Sequence, residues 1–179
     1  SLYEKHQLIT YPRSDSRYLP KEQFAQASKI LSVIKSNVPS FATAVDNANP
    51  KLKSKAWDDS KVDAHHAIIP TNRAKAIASL TADEAKIYQL IATQDLRQFN
   101  WPHKYQEQMA KVDIGGGEFI AKGKETQDQG WLALTRNEKT NTANNKAENV
   151  LPSLSKGESL ECIDSQLLEK QTSPPKHFT

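Results

Sequence analysis

The spacing of the apolar residues changes near residue 100. In the first part of the chain they recur every three or four positions, which is typical of one buried face of a helix. This spacing predicts a helix over residues 20–37, a shorter one over 40–48, and the end of a further helix over 1–6. The apolar positions that predict the first of these helices are Phe24, Ala27, Leu31, Ile34 and Val38.

A longer helix is predicted over residues 81–99. Thr81 and Glu84 match a capping box, in which the Thr hydroxyl and the Glu carboxylate each bind a backbone N–H that the first turn leaves without a partner. Pro102 should prevent the helix from continuing, because proline has no N–H to donate. Residues 51–63 are polar and irregular, so we expect a loop there.

Beyond residue 100, β-favouring and polar residues alternate, which is typical of half-buried strands. Four strands are predicted, and the three glycines at 115–117 form the turn between the first two. Cys162 falls in the fourth strand and is expected to be buried, while residues 137–149 are expected to form a flexible loop. The four predicted strands cover residues 105–113, 118–125, 131–135 and 159–169.

These elements predict an α+β protein in two parts. Residues 1–100 form a mainly helical domain, and residues 101–179 form an antiparallel β-rich part. The chain opens at Ser1 without a methionine and within a predicted helix, so we expect it to be a piece of a longer protein. A chain of 179 residues is long enough to bury a core. Its apolar runs are no longer than five residues, far short of the roughly 18 that a membrane helix needs.

The net charge of +3 hides an asymmetry along the chain. Residues 1–75 carry 12 basic and 7 acidic side chains, whereas residues 76–179 carry 12 and 14. A surface that binds an anion is therefore expected in the first half. Four lysines lie in the loop predicted over residues 51–63, and they either contact a nucleic-acid backbone or are simply solvated. They are Lys51, Lys53, Lys55 and Lys61. The single cysteine, Cys162, excludes an internal disulfide and a multi-cysteine zinc site, which indicates a reducing compartment.

Tyr11, Arg13 and Arg17 lie together in a segment bounded by prolines. A neutral phenol is a weak nucleophile, but a guanidinium beside it favours the phenolate and can also hold a phosphate. The grouping therefore suits attack on a phosphodiester. A tyrosine that packs in a turn beside a solvated arginine would give the same pattern.

His65 and His66 form a second candidate group. Adjacent histidines point in different directions and rarely bind one metal ion together, and no cysteine or suitably spaced carboxylate completes a site. An imidazole that hydrogen-bonds a phosphoryl oxygen is the better functional interpretation. The alternative is a histidine that caps or packs beside the apolar residues 67–69.

The two segments resemble the signatures of a known family. The sequence ITYPRSDSRYLP, at residues 9–20, closely resembles the active-site segment of bacterial type IA DNA topoisomerases, particularly the topoisomerase III branch. The sequence AHHAIIPT, at residues 64–71, resembles that family's second signature. The sequences LTADEAKIYQLI, at 80–91, and QTSPPKHFT, at 171–179, are also similar and follow in the same order.

The resemblance implies that Tyr11 is the nucleophile. It would attack a phosphate of single-stranded DNA to leave a 5′-phosphotyrosyl link and a free 3′-hydroxyl, and rejoining would need no ATP. Arg13 matches the arginine that positions the scissile phosphate, and His65 matches a histidine that hydrogen-bonds near it. Arg13, Arg17, His65 and His66 are the expected DNA-binding residues. His66 takes a position that is acidic in the topoisomerase I branch, which favours the III branch.

The resemblance also implies Mg²⁺ in the intact enzyme, bound by a domain absent from this chain. Asp58 and Asp59 are the only adjacent aspartates here, and they lie in a loop without the strand context of a metal site, so no metal site is expected in this chain. The expected partners are single-stranded DNA and the remaining domains of the parent enzyme. We expect a monomer in the cytoplasm, associated with the nucleoid and not with a membrane, and an isolated chain without activity.

Three other functions use the same features differently. A tyrosine recombinase or type IB enzyme also combines Tyr, Arg and His, but its tyrosine follows two arginines near the end of the catalytic domain and forms a 3′ link, whereas Tyr11 comes first. A non-catalytic module could bind single-stranded nucleic acid through the basic half. A purely structural hinge or interaction domain would bind no DNA.

Overall fold

The computed structural model of the chain describes residues 1–135 and 150–172. These residues form the α-helices α1 (Ala27–Asn37), α2 (Ala42–Asp46) and α3 (Ala82–Arg97), followed by the strands β1 (Lys104–Ile114) and β2 (Gly117–Asp128). The α+β class is therefore confirmed, while the domain boundary at residue 100 stays a prediction. No helix of the described ranges is both long and apolar enough to cross a bilayer. Short 3-10 helices lie at Lys21–Gln26, Pro39–Phe41, Asp59–Lys61, Ile77–Ser79 and Gly130–Thr135.

The helices lie close to their predicted positions, with differences at their ends. The helix predicted over 20–37 begins as a 3-10 helix and becomes α-helical at Ala27, and α3 ends two residues earlier than predicted. The capping box of α3 is confirmed, since the Glu84 N–H donates to Thr81 Oγ1 at 3.3 Å and the Thr81 N–H donates to Glu84 Oε2 at 3.0 Å. Residues 1–6 form turns and no helix, because Gln7 adopts a φ of 54° and leaves the helical conformation.

The buried hydrophobic side chains of the described residues all lie between Leu2 and Phe99. Helix α1 contributes Ile30, Leu31 and Ile34, and α3 contributes its own buried face from Tyr88 to Leu96. The helical part therefore has its own core, which holds the segment of residues 9–20 in place through Ile9 and Leu19.

Strands β1 and β2 form one antiparallel hairpin in which Ile114 pairs with Gly117. Gly115 and Gly116 make the two-residue turn with φ angles of 59° and 84°, the left-handed conformation that such turns require and that glycine adopts without strain. The first two predicted strands are confirmed, and so is their turn at Gly115 and Gly116, whereas Gly117, predicted as part of the turn, already belongs to β2. Apolar side chains such as Met109 and Phe119 remain more than half exposed on this hairpin.

Three predictions for the second half are wrong. Residues 131–135 form a 3-10 helix and no strand, because the chain turns at Gly130 and Leu134 packs against the helical core. Residues 159–169 form no strand, since none of the described residues pairs with them. Cys162 is consequently exposed and not buried. The flexible loop predicted over 137–149 lies outside the described residues.

Candidate active site

The two segments that carry the candidate chemistry meet in space. Ile9 and Pro70 form an antiparallel bridge, in which the Thr10 N–H donates to Ile69 O and the Thr71 N–H donates to Leu8 O, both at 2.9 Å. Prolines limit this contact to a short bridge, because they have no N–H to extend a ladder. Residues almost 60 positions apart in the sequence are thereby held side by side.

Side chains continue this contact beyond the bridge. Thr10 Oγ1 accepts from the Ile69 N–H at 3.0 Å, and Ser14 Oγ donates to His66 O at 2.8 Å. The contact between the two segments ends at Tyr18, whose carbonyl oxygen accepts a hydrogen bond from the backbone N–H of residue 67 at 2.8 Å. The hydroxyl groups of Thr10 and Ser14 therefore fix the path of the first segment.

Tyr11 lies between two rings. Its phenol ring stacks on the His65 imidazole, with centroids 4.7 Å apart and planes 22° apart, and Tyr3 contacts it edge-on at 5.7 Å. Tyr11 keeps 37% of its surface exposed. Two of the three predicted catalytic residues are thus in direct contact, and the ring of Tyr11 is oriented without being covered. Sequence patterns gave no indication of Tyr3.

Arg13 and Arg17 are exposed on the same segment as Tyr11. Within residues 1–135 and 150–172, neither guanidinium forms an ion pair or a side-chain hydrogen bond. A guanidinium presents a planar set of donors that suits a phosphate. Arg13, two residues after the phenol, therefore has its full donor capacity available to an anion bound beside Tyr11.

His66 differs from His65 because both of its ring nitrogens already have partners. Its Nδ1 lies 2.7 Å from Ala67 O, an acceptor, so Nδ1 carries the proton. Its Nε2, 2.9 Å from the Gln23 side-chain nitrogen, then accepts from the amide. In this arrangement His66 anchors the second segment to the helical part. Contact between His66 and DNA, which would require loss of the Gln23 bond, stays a prediction.

A cluster formed by His6, Glu84 and Lys75, which the sequence patterns did not predict, holds the turn that carries Tyr3. His6 is only 7% exposed; its Nε2 lies 3.3 Å from Glu84 Oε1, and its Nδ1 lies 2.8 Å from Lys75 Nζ. Hydrogen bonds to Glu84 from the Ser1 hydroxyl and the Thr81 backbone lower the pKa of Glu84 to about 2. This cluster joins the turn at residues 1–6 to α3 through Glu84, and to the residues after the second segment through Lys75.

The described residues do not offer a magnesium site. They include no group of three or more His, Cys, Asp or Glu side chains that could hold a metal ion. Asp58 Oδ1 accepts hydrogen bonds from Ser60, and Asp59 Oδ1 accepts the Lys21 N–H at 2.7 Å. These carboxylates support turns at the surface, so the paired acids do not fit Mg²⁺.

Comparison with known proteins bears on the whole chain. A family model described as DNA topoisomerase matches residues 1–179. The DNA topoisomerase 3 of Vibrio cholerae is 48% identical over 179 residues, which are 100% of this chain and 27% of that protein. That of Salmonella typhimurium is 42% identical over 178 residues, 99% of this chain and 27% of that protein. That of Bacillus subtilis is 34% identical over 186 residues, 99% of this chain and 25% of that protein.

This chain therefore spans about a quarter of the length of the curated relatives it matches. The match runs through both signature segments, which the fold brings into contact at Tyr11 and His65. The chain belongs to the type IA DNA topoisomerase family, on its topoisomerase III branch.

Proposed function

We propose that the enzyme containing this chain passes DNA strands through a transient break in one strand, and that Tyr11 makes the break. The stacking of an exposed tyrosine on a histidine from the second signature is the observation that carries this proposal. A phenol that is oriented but uncovered can reach a bound phosphate with little loss of conformational freedom. The substrate is single-stranded DNA at the nucleoid, and the enzyme acts as a monomer.

In the proposed step, Tyr11 Oη attacks phosphorus as the phenol proton leaves. The bond between phosphorus and the 3′-oxygen breaks, and that oxygen takes up a proton to become a free hydroxyl. The product is a phosphodiester that joins Tyr11 to the new 5′ end of the strand, on the fragment that lies 3′ to the break. One phosphodiester is exchanged for another, so the reverse attack by the 3′-hydroxyl restores the strand without ATP.

Arg13 and His65 act on the phosphate during this exchange. Charge develops on the nonbridging oxygens in the transition state, and donors that already point at them stabilise it. The guanidinium of Arg13, which has no side-chain partner among the described residues, supplies such donors, and His65 supplies one from the imidazole that stacks on Tyr11. Mg²⁺ would be held by a part of the enzyme outside this chain, because the acids described here do not fit it.

Trapping the covalent intermediate tests the proposal. We expect the enzyme, mixed with labelled single-stranded DNA and stopped with detergent, to retain a 3′-end label and release a 5′-end label. The opposite retention would indicate the 3′ link of a recombinase or type IB enzyme. Salt-dependent binding without any retained label would favour a non-catalytic binding module. The 179-residue chain alone should retain neither label, because it lacks the metal-binding part.

We expect Arg13→Ala to slow strand cleavage by about 10²–10³-fold, the usual effect of removing one donor that stabilises transition-state charge. Arg13→Lys should recover only part of the rate, since an ammonium keeps the charge but loses the planar pair of donors. Single-turnover cleavage of an oligonucleotide measures both. Lys29→Ala, which removes an exposed cation elsewhere, serves as the control, and a normal rate for Arg13→Ala would exclude Arg13 from the site.

A further inference from the structure

A second concave surface lies apart from the residues that surround Tyr11. It is a groove of about 610 Å³ between residues 52–55, the end of α3 and Trp131. None of the residues that line it belongs to either signature segment. Its volume falls within the range of about 300–1,000 Å³ that is usual for sites binding small ligands or parts of larger ones.

The walls of the groove are basic. Lys53, Lys55 and Arg97 line it, and none of its lining residues is acidic. The ammonium groups of Lys53 and Lys55 form no salt bridge among the described residues. Three positive charges without an opposing carboxylate favour an anionic ligand.

One wall of the groove is aromatic. Trp131 keeps 37% of its surface exposed, and the Arg97 guanidinium lies 5.5 Å from its ring centroid. The backbone sets the position of this ring, because the Trp131 N–H donates to Trp101 O at 2.9 Å. The preceding Gly130 adopts a φ of 48°, and a Cβ there would lie 2.3 Å from the same carbonyl. Only glycine allows this close approach, so the Trp131 ring is held at the groove.

Polar groups complete the site beside the ring. Arg97 Nη1 donates to Gln94 Oε1 at 2.8 Å, and the guanidinium forms no salt bridge with a carboxylate of the described residues. Arg97 Nε has almost no exposed surface, so Arg97 acts on a ligand in the groove through its charge and not through this nitrogen.

We propose that this groove binds a nucleotide of single-stranded DNA, as a contact separate from the cleavage site. The phosphate lies against Lys53 and Lys55, and the base stacks on Trp131. Aromatic platforms next to basic side chains are how proteins bind single strands without sequence preference. Duplex DNA does not fit this description, because its bases already stack on one another. The inference rests on the proposed function only in taking DNA as the substrate.

The first test uses the charges. We compare Lys53→Ala/Lys55→Ala with the control Lys29→Ala/Lys122→Ala, which also removes two exposed lysines but none from the groove. The dissociation constant of each 179-residue chain for a labelled oligothymidylate is measured across a salt series, after circular dichroism has established an unchanged fold. We expect the groove variant to lower the slope of log affinity against log salt by about 0.7, since the two lysines share one phosphate and each neutralised single-strand phosphate contributes about that much. The control should leave the slope unchanged.

The second test uses the ring. Trp131→Leu should weaken oligothymidylate binding by about 5–150-fold, the effect of losing one stacked base, and Trp131→Phe should retain most of the affinity. Unchanged affinity for oligothymidylate in both the lysine variant and Trp131→Leu overturns the proposal. The basic groove would then fit an acidic segment of a protein instead of a nucleotide. Binding is measured without cleavage and the covalent adduct is measured in the intact enzyme, so the groove and the catalytic proposal can fail separately.

Discussion

Tyr11→Phe in the intact enzyme should form no covalent adduct with DNA while it binds single strands as tightly as the unmodified enzyme. Phenylalanine lacks the oxygen that attacks phosphorus, so the loss of adduct should be complete. The remaining ring can still stack on His65 and contact Tyr3, which keeps the site in shape. Detergent-trapped complexes on labelled DNA measure the first effect, and equilibrium binding measures the second.

Tyr3→Phe is the matched control. Tyr3 is exposed to a similar degree and its ring contacts Tyr11, but its hydroxyl has no part in the proposed step. Its removal should therefore leave adduct formation intact. Adducts that persist in Tyr11→Phe and disappear only when Tyr3→Phe is added would move the nucleophile to Tyr3. Adducts that persist in the double variant would exclude both tyrosines.

Replacement of Asp95 should change how stability depends on pH. Asp95 is 4% exposed on α3, and neither of its carboxylate oxygens has a hydrogen-bond partner in the part of the chain that the structure describes. Burial raises its pKa from the ordinary 3.8 to about 7, because a charge without a partner is poorly solvated there. The folded protein therefore holds a proton that the unfolded chain releases. The free energy of unfolding should fall as pH rises from about 4 to about 7, by up to about 4 kcal/mol from this group.

Asp95→Asn should remove this dependence. The variant and the unmodified chain should be similarly stable near pH 4, where Asp95 is neutral, and the variant should be the more stable one at pH 8. Urea unfolding of the 179-residue chain at several pH values measures the difference. Asp83→Asn is the control, since Asp83 lies on the same helix but is exposed. An equal slope for Asp95→Asn and the unmodified chain would show that Asp95 is ionised in the fold.

Local patterns predicted those elements that local interactions stabilise. The capping box at Thr81 and Glu84 places the start of α3, and two glycines place the turn of the hairpin. The failures came where a distant contact decides the conformation. Residues 131–135 have the composition of a strand, but Gly130 turns them towards the helical core. The alternation over residues 159–169 predicts a strand only if another strand lies beside it, and none of the described residues does.

The candidate site shows the same division. Its residue types could be recognised in the two segments, because a phenol, a guanidinium and an imidazole suit phosphate chemistry wherever they occur. Their relative positions could not be predicted, since the bridge between Ile9 and Pro70 joins distant parts of the chain. The different surroundings of His65 and His66 could not be predicted either. The His65 ring stacks on Tyr11, whereas the His66 ring is hydrogen-bonded by Gln23.

The sequence by itself determined the family of this protein and the side chains that could act on DNA, because two long ordered segments carry both. It also determined that the excess of positive over negative charge lies in the first half. Only the tertiary structure decided that Tyr11 and His65 are in contact, that Arg13 pairs with no side chain of the described residues, and that Lys53 and Lys55 share a groove with Trp131. The physical reason is that these relations depend on hydrogen bonds and packing between residues far apart in the chain, which no local pattern of polar and apolar positions specifies.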